Sequence, residues 1–438
     1  MLQGVIRSSF EALRNYKRIP SELRQLQTKK MRWTLRYCYD YVPLYHEWFR
    51  KRGLTPEDVR EPKDLRLLPR LSRETLSGTS PEMIVVPGAR VGLVRSTSGT
   101  TGRPVRILWS PGFSDMVMGQ VFRATSVEGV RPWHRVAMVW TGSPGRPIVA
   151  SGAARRSAVY AYKLLFGSIN LWVLVFNQVD LFVSKDNWRS VASMLHDLQP
   201  DVIYSRPTHA RRLGVKLREE GQKLDPKFLI IGGEFMSDGT RADIASLYGC
   251  EVFEEYGSME LGSLGFECPE HSGMHLNSDF LVFEVERDGE EVSPGESGEL
   301  VITGLHNETM PLIRYEQGDR VVLEEEGRCG CGSYLPRLRA IQGRLSDGLV
   351  AEDGTRIPPG VICDQLERVM GIRDYQLVQK SRERVILKLL SRDNAEQTAG
   401  GVSGYLTSLL GGSPTVEIEE WSEDDMPAKY RPVISEIN

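Results

Sequence analysis

The stretch Ser96-Thr97-Ser98-Gly99-Thr100-Thr101-Gly102-Arg103 offers five hydroxyls, two glycines and a terminal cation. Hydroxyl and amide donors on a backbone that glycine allows to approach closely are what phosphate oxygens require. A Ser/Thr/Gly-rich turn without a ligand has the same composition, and the spacing of a Walker A loop is absent. Farther along, Tyr256-Gly257-Ser258-Met259-Glu260 follows the strand-like run CEVFEE, which puts an aromatic face and a carboxylate at a strand end. Tyr256 could stack on a purine there, and Glu260 could hold Mg²⁺ against phosphate oxygens; a solvated acid after a strand is the plainer reading. In the segment Pro311 to Asp319, the carboxylate after Gly318 could accept both hydroxyls of a ribose, or Asp319 could serve the turn before RVVLEE.

A second constellation pairs Cys268-Pro269-Glu270-His271 with Cys329-Gly330-Cys331. Four soft or borderline ligands from two turns suit a closed tetrahedral zinc, structural and without a bound water, with His275 as the substitute for His271. Reduced turn cysteines beside a surface histidine are the alternative. Six cysteines in 438 residues are too few for a disulfide scaffold. Cys38, Cys250 and Cys363 lie in helix- or strand-like surroundings and read as buried apolar residues.

The elements that must position these groups follow from periodicity. Residues 9 to 52 carry Leu23, Leu26, Met31, Leu35 and Tyr39 at mixed three- and four-residue spacing, which predicts amphipathic helices with a basic, solvated face. LVRSTSGTTGRPVRILWS reads as strand, loop, strand. From Arg135 to Glu255, the apolar runs VAMVW, LWVLVF, DVIYS, FLIIGG and CEVFEEYG alternate with helix-like stretches, which predicts an α/β domain with a largely parallel sheet and ligand sites at the carboxyl ends of its strands. Residues 280 to 326 switch to short runs separated by Gly, Pro and acidic turns, an antiparallel β subdomain. Beyond a boundary near Gly343 the chain reads as a small α+β domain.

Taken in order, these motifs resemble the adenylate-forming superfamily of acyl-CoA synthetases, firefly luciferase and peptide-synthetase adenylation domains. STSGTTGRP resembles the phosphate loop, Gly232 to Glu234 the adenine-pocket segment, YGSME the magnesium motif, GELVITG with IRYEQGD the ribose motif, and GRLSD the hinge. The segment YVPLYHEWFRKRGLTPEDVREPKDLRLLPRLSRETL resembles the short N-terminal region of the phenylacetate-CoA ligase and CapK-like branch. The resemblance implies a large AMP-binding domain over 1–343 and a small mobile domain over 344–438, turning about Ser346 and Asp347. It gives Gly233, Glu234, Tyr256, Gly257, Asp319 and Arg344 to the nucleotide, and makes Glu260, Arg103 and Lys429 the catalytic groups, with Lys429 bridging carboxylate and α-phosphate. It places the acyl pocket near Tyr204, Ser205, Arg206 and Pro207, with Trp140 and Thr141. The implied cofactors are ATP/AMP, Mg²⁺ and CoA, beside the zinc.

Three residues depart from the superfamily pattern: Arg103 where a lysine is common, Met259 for the usual Thr or Ser, and Ser346 for the usual hinge aspartate. Arg103 keeps the charge with a planar fork in place of a point charge. Met259 offers no hydroxyl to the α-phosphate.

The implied reaction is an acid-thiol ligation on an aryl or related small carboxylic acid. Alternatives are loading of a carrier-protein thiol, AMP transfer without thioester formation, and an inactive nucleotide-binding relative. A net charge of -3 gives no global attraction for nucleic acid. The first twenty residues carry charges throughout, so neither a leader nor a membrane span is expected and the cytoplasm is the expected compartment. A homodimer stays open.

Overall fold

The computed structural model describes residues 2–96, 105–141, 178–183, 187–370, 375–389, 395–421 and 430–437. The chain forms two compact units, each built from two stretches: Met1–Gly129 with Glu255–Ala340, and Val130–Glu254 with Ile341–Asn438.

The first unit begins with helices Leu2–Asn15, Pro20–Tyr41 and Pro43–Arg52. Proline opens the second and third because its fixed φ and missing N–H suit the first helical turn. Pro43 also ends the second helix, since Val42 before it is pushed to an extended φ of -116°. Gly53 closes the third in the left-handed region at φ 65°. Of the stripe that the spacing predicts, Leu23, Met31 and Leu35 are buried and Leu26 and Tyr39 half-buried; Met31 and Leu35 share a core with Cys38, Tyr45, Phe49, Val282 and Ile313.

The sheet of this unit runs, edge inward, Glu290–Glu291, Leu281–Arg287, Ser297–Gly304, Tyr315–Leu323, Arg337–Arg344, Met274–Leu276 and Gly262–Phe266, with the end of Glu251–Ser258 beside the last. Leu281–Arg287, Ser297–Gly304 and Tyr315–Leu323 are successively antiparallel, as the short runs and tight turns predict. The strands Leu93–Ser96 and Arg106–Trp109 pair antiparallel on either side of the hydroxyl-rich loop, which itself lies outside the described residues.

In the second unit, Gln178–Val183, Val136–Thr141, Val202–Ser205 and Phe228–Gly232 lie side by side and all parallel. Every residue of Phe228–Gly232 is buried, the continuous apolar run of a strand covered on both faces. Helices Trp188–Leu198, Pro207–Glu219 and Asp238–Tyr248 supply the crossovers, and Val139, Leu181, Ile203, Leu229 and Ile231 meet Val191, Leu195, Leu213 and Ile244 in one core. The expected strand LWVLVF falls outside the described residues.

The same unit carries the α+β end of the chain. Its sheet order is Thr415–Glu420, Arg384–Leu389, Tyr375–Ser381, Val433–Ser435, with an antiparallel pair at the centre and parallel pairs outside. Helices Pro359–Asp364 and Ala395–Leu410 help bury a core of Leu349, Leu366, Tyr375, Leu377, Leu387, Leu406 and Val433. Among the described residues no helix is long and apolar enough to cross a membrane.

Candidate functional site

Two buried carboxylates stand where the sequence motifs put them. Asp319 lies on the strand Tyr315–Leu323 just after Gly318, whose φ of +80° is in the range that favours glycine, and it accepts a hydrogen bond from Tyr256 Oη. Tyr256 and Asp319, expected at base and ribose respectively, are thus brought together through the phenol.

Glu260 sits in the tight turn between the strands Glu251–Ser258 and Gly262–Phe266. The turn is fixed from three directions. Leu261 N donates to Ser258 Oγ (3.1 Å), Trp109 Nε1 donates to the Met259 carbonyl (3.1 Å), and Gly262 adopts φ +77° where a Cβ would stand 2.5 Å from Val117 Cγ2. Met259 itself points outward, 42% exposed, so nothing in the turn depends on a hydroxyl at that position. The carboxylate is only 5% exposed. Its Oε1 accepts from Tyr315 Oη at 3.0 Å and lies 3.5 Å from Arg73 Nη1, while Oε2 accepts no hydrogen bond among the described residues.

Sequence reasoning missed Tyr315 and Arg73. For Tyr315 the signal was present: Tyr315, Gln317 and Asp319 alternate on one buried face of the strand. Arg314, in the same segment, is held at φ 50° by buried partners. Its Nε donates to Glu284 Oε1 (3.1 Å), its Nη1 to the Leu68 carbonyl (2.6 Å), and its Nη2 to Glu286, which also pairs with Arg70. Burial pushes the Glu284 carboxyl up and Arg314 pulls it back.

In the second unit the expected acyl-pocket residues gather at the carboxyl ends of parallel strands. The Arg206 guanidinium stacks 4.5 Å from the Trp140 ring centroid and donates to Glu234 Oε1 at 3.5 Å. Thr208 Oγ1 donates to Glu234 Oε2 at 2.6 Å. Trp140 lies 6.0 Å from Tyr204 and packs so closely on Gly233 that a Cβ there would meet its ring at 2.9 Å. Ser205 is fully buried and donates to the Val139 carbonyl (3.3 Å), which makes it part of the sheet's scaffold. Thr141 ends its strand.

Arg344 ends the strand Arg337–Arg344, and the short turn Leu345–Asp347 follows with Ser346 exposed and Asp347 accepting from Arg431 Nη1 at 3.0 Å. Ser96 ends its strand, exposed. Thr97, Ser98, Gly99, Thr100, Thr101, Gly102, Arg103 and Lys429 lie outside the described residues.

The cysteine constellation is assembled with one exchange. Cys268, His275, Cys329 and Cys331 bring their ligand atoms within 4.8 Å of one another, three of them buried. His271, the ligand first expected, instead sits in a turn at φ 44° with Nδ1 3.3 Å from Glu267. Strand register explains the exchange, since His275 pairs with Arg337 on the strand that follows the Cys329–Cys331 loop. A tetrahedron with Zn–S bonds of about 2.3 Å has edges of roughly 3.8 Å. The observed edges of 3.6 Å (Cys268–Cys329) and 3.4 Å (Cys331–His275) fit that figure. Burial lowers His275 to about 4, so its imidazole is neutral and able to ligate at pH 7. Burial raises Cys268; at Cys329 burial is outweighed by hydrogen bonds from Ser272, Cys331 and Cys268, which bring the thiol to about 7.

The chain is 28% identical to the phenylacetate-coenzyme A ligase of Thermus thermophilus over 82% of its own length and 79% of that protein. It is 25% identical to the enzyme of the same name from Escherichia coli, over 82% and 80% of the two chains. Its fold superposes on the crystal structure of 2-hydroxyisobutyryl-CoA ligase in complex with 2-HIB-AMP with a TM-score of 0.78 at 20% identity, covering 97% of this chain and 91% of the other. No protein-family model matches the chain. The chain thus shares the fold of the 2-hydroxyisobutyryl-CoA ligase. The four curated phenylacetate-coenzyme A ligases that the chain resembles are 25% to 28% identical to it.

Proposed function

We propose that the chain is an ATP-dependent acid-thiol ligase. It condenses a carboxylate with the α-phosphate of ATP, releasing pyrophosphate, and then passes the acyl group from the adenylate to the thiol of CoA, releasing AMP. The observation that carries this reading is the pair of anchored, buried carboxylates, Glu260 on Tyr315 and Asp319 on Tyr256, each at its motif's position. The named activity of the sequence relatives supports it.

The chemical problem is to bring two anions together, which positioning and charge neutralisation solve. Lys429 bridges the carboxylate and the α-phosphate, the loop from Ser96 to Arg103 orients the pyrophosphate, and Asp319 with Arg344 holds the ribose. Glu260 fits a divalent cation because, among the described residues, nothing donates to its Oε2, and Mg²⁺ there would offset phosphate charge. Residues 344–438 act as a mobile domain about Ser346 and Asp347. The acyl pocket draws on Trp140, Tyr204 and Arg206. Because Glu234 and the Trp140 face already engage the Arg206 cation, this pocket favours an uncharged tail such as an aryl group over a second carboxylate. The four-ligand cluster holds a structural zinc, and the enzyme works in the cytoplasm.

ATP-pyrophosphate exchange across aryl, fatty and amino acids tests the first half-reaction. Exchange is expected only with the cognate acid and to fall roughly 100-fold or more in Lys429→Ala. ATP binding with no exchange for any acid would mean an inactive relative. AMP release that responds to a carrier-protein thiol and not to CoA would replace the acceptor. Zinc at one equivalent per chain, lost in Cys329→Ser, is the expected result of metal analysis.

A further inference from the structure

Tyr16 directly follows the first helix, Leu2–Asn15, and is only 6% exposed. Its Oη donates to Cys331 Sγ at 2.9 Å, and its ring stands edge-on to His275 with centroids 6.1 Å apart. Its carbonyl accepts from Ser333 Oγ at 2.7 Å, two residues beyond Cys331. The preceding residue, Asn15, donates from Nδ2 to Asp279 (3.0 Å), and the buried Arg123 joins Asp279 to the Ala12 carbonyl one turn back (2.9 and 3.0 Å). The end of the helix is therefore fastened at two buried places, and one of them is the four-ligand cluster.

We propose that this metal site is a clasp for the N-terminal helix, with Tyr16 as the positioning residue that joins the two; this rests on the zinc reading above. A zinc-bound Cys331 is a thiolate, and a phenol donates to a thiolate more strongly than to a thiol. Outer partners of this kind orient the ligands and set affinity, typically by 10- to 100-fold. Coupling is reciprocal: whatever zinc adds to the order of residues 2–19, the ordered helix returns to zinc binding.

The test uses the full-length protein, as the parent and as Tyr16→Phe, which keeps the ring and deletes the donor. Zinc affinity is measured by competition with a chromophoric chelator, and hydrogen exchange is followed over residues 2–19 with and without zinc. Tyr16→Phe is expected to bind zinc roughly 10- to 100-fold more weakly. Stripping zinc is expected to speed exchange in 2–19 of the parent while Val202–Ser205 stays protected, and parent and variant should then exchange alike. Equal zinc affinities, or unchanged protection of 2–19 after stripping, would overturn the clasp and leave the zinc site standing. A parent that takes up no zinc would remove the site and the clasp together.

Discussion

Among individual residues, Glu260 carries the most weight. Glu260→Gln keeps its shape and the Tyr315 contact but removes the charge that a cation would need. Acid-dependent pyrophosphate exchange is expected to fall by about 100- to 1000-fold, the loss typical of one electrostatic group in a closed site. Tyr315→Phe removes a hydrogen bond to a charged carboxylate, worth about 1.5–3 kcal/mol, so a smaller loss of about 10- to 100-fold in the same assay is expected. An equal loss in both would show that Tyr315 does more than hold the carboxylate. A second residue-scale effect concerns stability. His306 is lowered to about 3, by burial and then by Lys30, and its Nε2 is buried without a hydrogen-bond partner among the described residues. The unfolded chain takes up a proton near pH 6.5 that the folded chain refuses, so this contribution is complete above that pH and lost as pH falls. Between pH 6.5 and 5 the loss is about 1.6 kcal/mol. His306→Gln should gain that much relative to the parent over the same interval in urea unfolding, and parallel pH curves would refute the assignment. Glu260 and Asp319 were legible in the sequence because each sits in a motif. Arg73 was not, because nothing local marks an arginine that reaches a carboxylate far along the chain.

The turns and strands that hold these groups depend on buried charge. Arg314 keeps a strained φ of 50° next to Tyr315 because Glu284 and Glu286 pin its guanidinium. Arg314→Met would leave Glu284 without its buried partner. The expected cost is about 3–5 kcal/mol, read as a lower urea midpoint at unchanged slope. A loss below 1 kcal/mol would mean that the network is not what sets this strand. At this scale the sequence was legible where periodicity was strong: the helical stripe Leu23–Met31–Leu35, the parallel strand Phe228–Gly232 and the antiparallel trio around Ser297–Gly304 were all expected. His271 shows the limit. CxxH spacing is a local pattern, whereas the four-residue Cys/His cluster is closed by the pairing of His275 with Arg337, which no spacing encodes.

At the scale of the whole chain, the proposal of a mobile domain over 344–438 makes a claim about folding. The buried residues of the last core, from Leu349 to Val433, all fall within that segment, and the four-stranded sheet closes within it too. A segment with its own sheet and core should fold alone. Residues 344–438 produced separately are therefore expected to melt cooperatively with dispersed amide resonances. One tie to the rest of its unit is buried: Ser237 Oγ donates to Glu367 Oε2 at 2.5 Å, and Glu367 also accepts from Tyr375 Oη at 3.1 Å. Ser237→Ala should cost the full chain roughly 1–3 kcal/mol by removing a donor from a buried carboxylate. In the isolated segment Glu367 would regain water on the side that Ser237 occupied, so the segment's own stability should not depend on that bond. A segment that stays unfolded would instead make the contacts of Ser237, and of Phe235 packed against the same core, part of what holds it together, and a rigid-body rotation about Ser346 and Asp347 would then have to break the structure it moves.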